Sequence, residues 1–240
     1  PLDDFLSRCG LSPQDCSLAV GHAPWREGAY HTAIDSRVDT RLKHRAGHYE
    51  TTAATILDAV ASSPGEPVAV FFSSFQYAEN VRQYCHAIDG GARILVQPRG
   101  VDLQAQDAFI DEALLLADAI CFVLGSGYAE GIDKLGGRVR SVIIVGPALP
   151  EVNAVQEAHM ERSAAATRED AFRRTYILPA MRRIHQALGR FVRAPGQRAR
   201  VLLHCRRFAE ERYLRALAPE YAEAPVLRRT EAVRDWLLQD

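Results

Sequence analysis

The sequence predicts an α/β fold in which helices cover both faces of a mainly parallel sheet. Short apolar runs alternate with segments of helical spacing along most of the 240 residues. Strands that alternate with helices in this way pair in parallel, because each helix carries the chain back to the same end of the sheet. With 48% hydrophobic and 25% charged residues, the chain can build a real core, as one large domain or two small ones.

Each element follows from a local pattern. The first 24 residues are mixed, with turn signals at Gly10 and at Ser12-Pro13. Apolar runs predict strands at residues 68–72, 93–97, 119–124, 139–145 and 200–204. Helical spacing of apolar residues predicts helices at 49–61, 76–87, 104–117 and 208–217, and a long helical region at about 152–188. Breaks such as Ser62-Ser-Pro-Gly-Glu-Pro67 separate these elements.

Composition and charge exclude several classes of protein. The net charge of −1 argues against a surface that attracts nucleic acid everywhere, but arginines crowd between Arg162 and Arg207 and favour a local basic face. The five cysteines form no Cys-x-x-Cys pair, so we expect neither a disulfide scaffold nor a zinc site. His44 and His48 lack the His-Glu-x-x-His frame, so we expect no metal site there. No signal peptide or membrane span is apparent, and we expect a reducing, intracellular compartment.

The loop after the predicted strand at 68–72 is Ser73-Ser74-Phe75. Ligands in parallel sheets bind beyond the carboxyl ends of the strands, so two hydroxyls at the start of a helix could hold a phosphate. A plain helix cap explains a serine at this position equally well, and from spacing alone it is the better interpretation.

A glycine-rich loop follows the predicted strand at 119–124. It reads Gly125-Ser126-Gly-Tyr-Ala-Glu130-Gly131-Ile-Asp133, and it places two carboxylates near a hydroxyl. Its glycines would let the backbone approach a ligand closely, but the spacing is not that of a dinucleotide fingerprint. Glycine turns are common, so this loop alone indicates little.

A third segment, His185-Gln186-Ala-Leu-Gly189-Arg190-Phe-Val-Arg193, carries two arginines three residues apart. On a helix they share a face, and such arginines could stabilise the charge of a transferring phosphoryl group. A solvated basic helix face is the simpler interpretation of the spacing alone.

Taken in this order, the three segments resemble helicase motifs IV, V and VI of the XPD/DinG branch of superfamily 2. The specific pieces are Glu130-Gly-Ile-Asp133 and Gln186-x-x-Gly189-Arg190-x-x-Arg193. The flanks are similar too, at Gly21-His-Ala-Pro-Trp25, Thr40-Arg-Leu-Lys-His-Arg45 with Tyr49, and Val201-Leu-Leu-His-Cys-Arg-Arg207-Phe208. The resemblance covers about residues 1–220, and it leaves 221–240 as a tail or terminal helix.

The resemblance implies a RecA-like, P-loop NTPase-like three-layer domain, the C-terminal motor domain of an ATP-dependent 5′–3′-type DNA helicase. In such an enzyme, ATP with Mg²⁺ lies between two motor domains and single-stranded DNA crosses both. It implies a first motor domain as partner, a role in DNA repair, and a bacterial, cytoplasmic, nucleoid-associated location.

The residue roles implied by the resemblance fall into three sets. Arg190 and Arg193 would be the arginine fingers that reach the ATP phosphates, and Gln186 would be their polar partner. The residues expected near the nucleotide are Glu130, Gly131, Asp133 and Gly189. Those expected on the DNA strand are Ser73, Ser74, Phe75 and Ser126, with Arg41, Lys43 and Arg45 as weaker candidates.

The motifs of the first motor domain are missing from this sequence. It has no Gly-x-x-x-x-Gly-Lys-Ser/Thr loop, so the domain lacks its own Walker A loop and would be inactive as an ATPase by itself. Asp111-Glu-Ala-Leu114 imitates a DEAH box, but it lies within a predicted helix and follows no apolar strand. The family's iron–sulfur cysteines belong to the first motor domain, and we expect no cluster in this chain. We expect the chain to begin just past that domain.

Gln197, Ala199 and Cys205 depart from the family pattern, which has Asp, Gly and Asp at comparable places. If the Asp that Cys205 replaces orients the motif VI arginines in the family, its loss would weaken hydrolysis. Two other functions stay open: a degenerate RecA-like module that binds nucleic acid or a protein without ATPase activity, and an unrelated Rossmann-like enzyme. The missing dinucleotide fingerprint and the missing nucleophile–base pair disfavour the enzyme.

Overall fold

The computed structural model describes residues 5–6, 9–19, 21, 23–128, 134–162 and 167–239. The strands are β1 (Tyr30–Asp35), β2 (Val68–Phe72), β3 (Ile94–Val96), β4 (Ala119–Val123), β5 (Ser141–Ile144), β6 (Ala199–His204) and β7 (Val226–Leu227). The helices are α1 (Tyr49–Ala61), α2 (Phe75–Ile88), α3 (Leu103–Leu116), α4 (Ala154–Arg162), α5 (Arg168–Phe172), α6 (Leu178–Leu188), α7 (Glu211–Leu214), α8 (Pro219–Ala222) and α9 (Thr230–Leu237).

The described strands form one seven-stranded sheet in the order β3-β4-β2-β5-β6-β1-β7. Every strand pairing in it is parallel. The predicted α/β fold with a mainly parallel sheet is therefore confirmed. In this order β4 lies between β3 and β2, so the loops that follow these three strands lie side by side at the carboxyl edge.

Helices cover both faces of the sheet and produce three layers. On one face, α3 and α6 pack against side chains such as Phe71 and Phe122. On the other face, α1, α2 and α9 pack against Val70 and Phe72. Successive residues of a strand point to opposite faces, and helices cover both faces of this sheet. The strands β2 and β4 are therefore apolar at every position and form continuous apolar runs in the sequence.

Strands β1 and β7 were not predicted. β1 contains His31, Thr32 and Asp35, so its sequence lacks a continuous apolar run. The polar side chain of Asp35 is nevertheless fully buried, because partners from elsewhere in the chain satisfy it. β7 has only two residues and is too short to give a pattern.

The helical region predicted at about 152–188 consists of several helices, and the single helix predicted at 208–217 is wrong. Thr167 is in an extended conformation and caps α5, and a π-helical turn at Arg173–Ile177 separates α5 from α6. Residues Arg206–Ala209 form a 3₁₀ turn before the short helix α7. A side-chain cap gives the backbone N–H groups a partner outside the helix, which allows a new helix to begin within a helical pattern.

Candidate functional site

The carboxyl end of β2 leads directly into α2 through Ser73 and Ser74. Ser74 is the N-cap of α2, and its hydroxyl accepts a hydrogen bond from the Tyr77 backbone N–H at 3.3 Å. Ser73 is half-buried, and Phe75 is the first residue of the helix. The helix-cap interpretation of Ser74 agrees with this geometry, and phosphate binding by the two serines stays a prediction.

Ser126 is held within the loop that follows β4. Its hydroxyl donates to the Val123 carbonyl at 2.6 Å and lies 3.1 Å from Gln97 Oε1. The same Gln97 oxygen accepts a hydrogen bond from the Val123 backbone N–H at 2.8 Å, and the Gln97 side chain is buried. A buried amide from the end of β3 therefore fixes the loop that carries Ser126. The remaining candidates of motif V, Glu130, Gly131 and Asp133, lie outside the described residues.

Motif VI begins on α6 and ends in the loop before β6. Gln186 is exposed on the helix, Gly189 is its C-cap, Arg190 is half-buried and Arg193 is exposed. The intervening Phe191 and Val192 are buried in the core and anchor the loop. The two arginines therefore reach the surface from a segment whose backbone is held by packing.

The segment that follows motif V packs against motif VI. A side chain at Gly136 would lie 3.1 Å from the Arg190 carbonyl oxygen and 3.1 Å from Cγ of Arg193, which is tighter than ordinary contact. Position 136 therefore suits a glycine because the two segments meet there, and the structure brings the segment that follows motif V beside the arginine candidates.

Gln197 fixes the backbone at Arg193. Its Oε1 accepts hydrogen bonds from the Arg193 N–H at 2.7 Å and from the Ala194 N–H at 3.1 Å. Gly137, with φ of +71°, leaves room for the Gln197 amide. Gln197 stands where the family has Asp. Its amide oxygen accepts hydrogen bonds as a carboxylate would, but it carries no charge.

The candidate residues form two separate groups. Helix α6 places Arg183 next to Gly125 at the carboxyl edge of the sheet. The helix ends at Leu188, whose carbonyl accepts a hydrogen bond from the Tyr30 hydroxyl at the start of β1. Motif VI therefore lies toward the amino ends of β5 and β6, whereas Ser73, Ser74 and Ser126 lie at the carboxyl ends of β2 and β4.

The arginines of the weaker DNA candidates have different surroundings. Arg41 forms a short ion pair with the buried Asp39, which also pairs with Arg206. Hydrogen bonds from Arg41 outweigh the effect of burial and, with the charge of Arg206, hold the pKa of Asp39 well below its usual range. The guanidinium of Arg45, in contrast, lies over the ring of Tyr77, with 4.9 Å between Cζ and the ring centroid.

Cys205 follows β6 at the carboxyl edge, away from the Gln197 turn that precedes this strand. Its sulfur accepts a hydrogen bond from the Thr40 hydroxyl at 3.2 Å, and Thr40 in turn accepts one from Arg207 at 3.0 Å. Ala199 is buried in β6 and pairs with Tyr30 of β1. The three departures are therefore spread over both ends of one strand.

A buried polar network at the carboxyl ends of β1 and β6 was not predicted from the sequence. Asp35 lies 2.7 Å from Nδ1 of His204 and 2.7 Å from a guanidinium nitrogen of Arg37. The other ring nitrogen of His204 lies 3.1 Å from the Thr52 hydroxyl. Burial alone would raise the pKa of Asp35, but His204 and Arg37 outweigh it and hold this pKa well below its usual range.

Metal-binding clusters and membrane spans are both absent from the described residues. These residues contain no group of three or more His, Cys, Asp and Glu side chains that could hold a metal ion. No helix among them is both long and apolar enough to cross a membrane. All five cysteines are free thiols.

A comparison with protein families identifies the family to which these segments belong. The helicase C-terminal domain family matches residues 56–223, which include all three motifs. The chain belongs to the helicase C-terminal domain family. No curated protein matches this helicase domain with significant sequence similarity.

Solved structures with the same fold include several helicases. Apo XPD is 21% identical, with a TM-score of 0.67 over 84% of this chain and 40% of that chain. The Xpd4 protein of S. tokodaii is 15% identical, with a TM-score of 0.64 over 90% of this chain and 42% of that one. S. cerevisiae Dbp5 bound to RNA and ADP BeF3 is 14% identical, with a TM-score of 0.54 over 98% of this chain and 53% of that one.

At sequence identities of 21% or less, the similarity to these structures shows that the fold is shared. The helicase domain spans about 40% of the length of the XPD chains it matches. The helicase C-terminal domain and the RecA-like fold predicted from the motifs are confirmed.

Proposed function

We propose that this helicase C-terminal domain is the second motor domain of an ATP-dependent 5′–3′-type DNA helicase. It would bind single-stranded DNA and supply Arg190 and Arg193 to ATP that a first motor domain holds. The observation that carries the proposal is the arrangement of motif VI. Gly136, in the segment that follows motif V, packs against both Arg190 and Arg193. Gln197 fixes the Arg193 backbone by accepting its N–H.

The residues present fit the phosphate end of a nucleotide. Two guanidinium groups on one anchored segment offer planar donors and a permanent positive charge, which match phosphate oxygens. The chain has no Walker A loop, so the β- and γ-phosphates and Mg²⁺ would be held mainly by the first motor domain. When bound, ATP supplies the phosphoryl group whose transfer to water drives the motor.

The arginines contribute by stabilising charge. Negative charge spreads over the oxygens of the phosphoryl group in the transition state, and an arginine placed there is worth about 10³–10⁵ in kcat. Positioning determines this gain, because the guanidinium must be in place before the charge develops. The buried Phe191 and Val192, together with Gln197, reduce the freedom of the segment that carries both arginines.

The nucleic acid would lie along the other group of candidates, Ser73, Ser74, Phe75 and Ser126. Hydroxyls and backbone N–H groups at a helix start are ordinary contacts to phosphates. Dbp5, which shares the fold, is bound to RNA and a nucleotide together in its solved structure. A DNA substrate in a bacterial cell would give the protein a nucleoid-associated, cytoplasmic location.

The test is ATP hydrolysis by the full-length protein with and without single-stranded DNA. Arg190→Ala and Arg193→Ala are each expected to lower DNA-stimulated kcat by about 10³-fold or more, as for other arginine fingers. Arg168→Ala, at an exposed position on α5, is the matched control and should hydrolyse ATP as the wild type does.

Unchanged hydrolysis in both finger variants would overturn the assignment. If the wild-type protein binds single-stranded DNA but hydrolyses no ATP, the domain is instead a degenerate RecA-like binding module.

A further inference from the structure

The loop that follows β3 adds to the polar surface at the carboxyl edge. The order β3-β4-β2 places this loop, residues 97–102, next to the loop of Ser126, which in turn lies next to that of Ser73-Ser74. Gln97 at its start bonds to the Ser126 hydroxyl and to the Val123 N–H, so it is tied to the loop after β4. Two neighbouring loops of the carboxyl edge are thereby joined.

Arg99, in this loop, lies on the ring of Phe75. Its Cζ is 4.4 Å from the ring centroid, and the Arg99 side chain is exposed. A guanidinium that lies over an aromatic ring interacts through its flat face, which leaves the N–H groups at its rim available as donors. Phe75 therefore orients Arg99 without occupying its hydrogen-bonding capacity.

The charge of Arg99 is not neutralised locally. Many arginines of the described surface pair with a carboxylate, as in Arg82–Glu79, Arg93–Asp118, Arg140–Glu66 and Arg234–Asp58. Arg99 has no carboxylate within ion-pair distance among the described residues. The acid of its own loop, Asp102, accepts the Ala105 N–H as the cap of α3.

Arg45 has the same kind of environment on the other side of α2. It lies over Tyr77, also in the first turn of α2, and within the described part of the chain it too lacks a carboxylate partner. Helix α2 packs between α1, which follows Arg45, and β3, which precedes Arg99. Two ring-supported guanidinium groups thus lie at the first turn of α2, the helix that Ser74 caps.

We infer that Arg99 is a phosphate contact for single-stranded nucleic acid, held in position by Phe75, and that Arg45 on Tyr77 is its counterpart across α2. The inference rests on the proposed function and extends its nucleic-acid site to a loop that none of the three motifs includes. Two separate cations at the helix that Ser74 caps suit an extended chain of phosphates better than one small anion, because each phosphate of the backbone carries its own charge.

The test is the salt dependence of oligo(dT) binding by the full-length protein, measured by fluorescence anisotropy. Each phosphate contact contributes about −0.7 to the slope of log K against log[salt] for a single strand. Arg99→Ala and Arg45→Ala should each reduce the steepness of this slope by about 0.7, and the double variant by about 1.4.

Arg93→Ala is the matched control, since Arg93 lies at the opposite end of the β3 region and pairs with Asp118. It should leave the slope unchanged. Phe75→Leu keeps an apolar side chain but removes the ring, so it should weaken binding in the presence of Arg99 and have little further effect in Arg99→Ala. Inorganic phosphate added at constant ionic strength should not compete with oligo(dT).

A wild-type slope in Arg99→Ala, with binding otherwise intact, would overturn the inference and leave the proposed function standing. Strong competition by inorganic phosphate would also overturn it, in favour of a site for a small anion. A wild-type protein that does not bind oligo(dT) would instead contradict the proposed function itself.

Discussion

At the scale of single residues, the Asp35 network joins parts of the chain that are far apart in sequence. Arg37 bonds to Asp35, to Thr55 of α1 and to Thr230 of α9, and His204 links Asp35 to Thr52. Asp35 and His204 are fully buried. A carboxylate in such a place is tolerated only because its partners are close and hydrogen-bonded.

Replacement of Asp35 by Asn should lower the free energy of unfolding at neutral pH by about 3–5 kcal/mol, because it leaves buried positive charge without its partner. The pKa of Asp35 is lowered in the folded state. Its contribution is therefore fully present above the unfolded pKa of about 4 and is lost as the pH falls below that value.

Thermal unfolding followed over the acid range checks this prediction. Asp35→Asn should show a weaker dependence on pH below about 4 than the wild type. Glu223→Gln, at an exposed position on the surface, should keep the wild-type profile. Equal stability of Asp35→Asn and the wild type at neutral pH would mean that the network contributes nothing.

Gln197 gives a second prediction at this scale. Gln197→Ala removes the acceptor of the Arg193 and Ala194 N–H groups, so the segment proposed to carry the arginine fingers loses a fixed geometry. Misplacement of a catalytic group by about 1 Å can cost about 10²-fold in rate, and we expect a fall in ATPase kcat of up to that size with little change in KM.

Gln197→Glu tests whether position or general stability is involved. A carboxylate can accept the same two N–H groups, so this variant should recover most of kcat. Wild-type kcat in Gln197→Ala, measured on full-length protein with saturating single-stranded DNA, would contradict a positioning role.

At the scale of elements, the turn after β5 depends on one glycine. Gly146 has a φ of +77°, and a side chain there would overlap the Thr40 hydroxyl. Thr40 is buried and bonded to both Cys205 and Arg207, so it cannot withdraw without breaking these hydrogen bonds. The close approach of the loop after β5 to the loop after β1 therefore requires glycine.

Gly146→Ala should destabilise the protein more than Gly196→Ala does. Gly196 has a similar φ of +82°, but a Cβ atom added there would meet no atom within 4 Å, so it carries only the backbone penalty of about 1–2 kcal/mol. Gly146→Ala adds the displacement of Thr40 and the loss of its hydrogen bonds, about 1–3 kcal/mol more. Urea unfolding of both variants measures the difference, and equal losses would refute the steric argument.

At the scale of the whole molecule, the last residues complete both the sheet and one helical layer. The Ser36 N–H donates to the Leu227 carbonyl at 2.9 Å, which adds β7 to the edge at β1. From α9, Val233, Trp236 and Leu237 are buried against the face that α1 covers. The sequence-based boundary at residue 220 stays a prediction, and these contacts provide a way to test it.

Removal of residues 225–240 should unfold the chain at a clearly lower temperature. Each of the three buried side chains of α9 is worth about 1.5–3 kcal/mol, and β1 would lose its edge pairing. Trp236→Ala should reproduce part of the loss, while Leu238→Ala, 71% exposed, should have little effect. Thermal unfolding by circular dichroism separates the variants. An unchanged melting temperature after truncation would support a boundary at 220.

Much of the candidate site could be predicted because its residues stand in recognisable order. Ser73, Ser126 and Arg190 each follow from a local pattern and from the order of the three motifs. Gln97 and Arg99 were missed, although they follow a predicted strand, because an amide and an arginine in a short turn carry no pattern of their own. Their significance depends on Phe75 and Ser126, which are distant in sequence.

The sequence alone determined the fold class, the family and the central strands, because apolar runs and motif spacing are local properties of the chain. The tertiary structure decided which side chains meet. It separated motif VI from the serines at the carboxyl edge, showed Gln197 bonded to the backbone of Arg193, and joined Asp35 to His204. Such pairings depend on the order of strands in the sheet and on burial, and these arise only when segments far apart in sequence pack together.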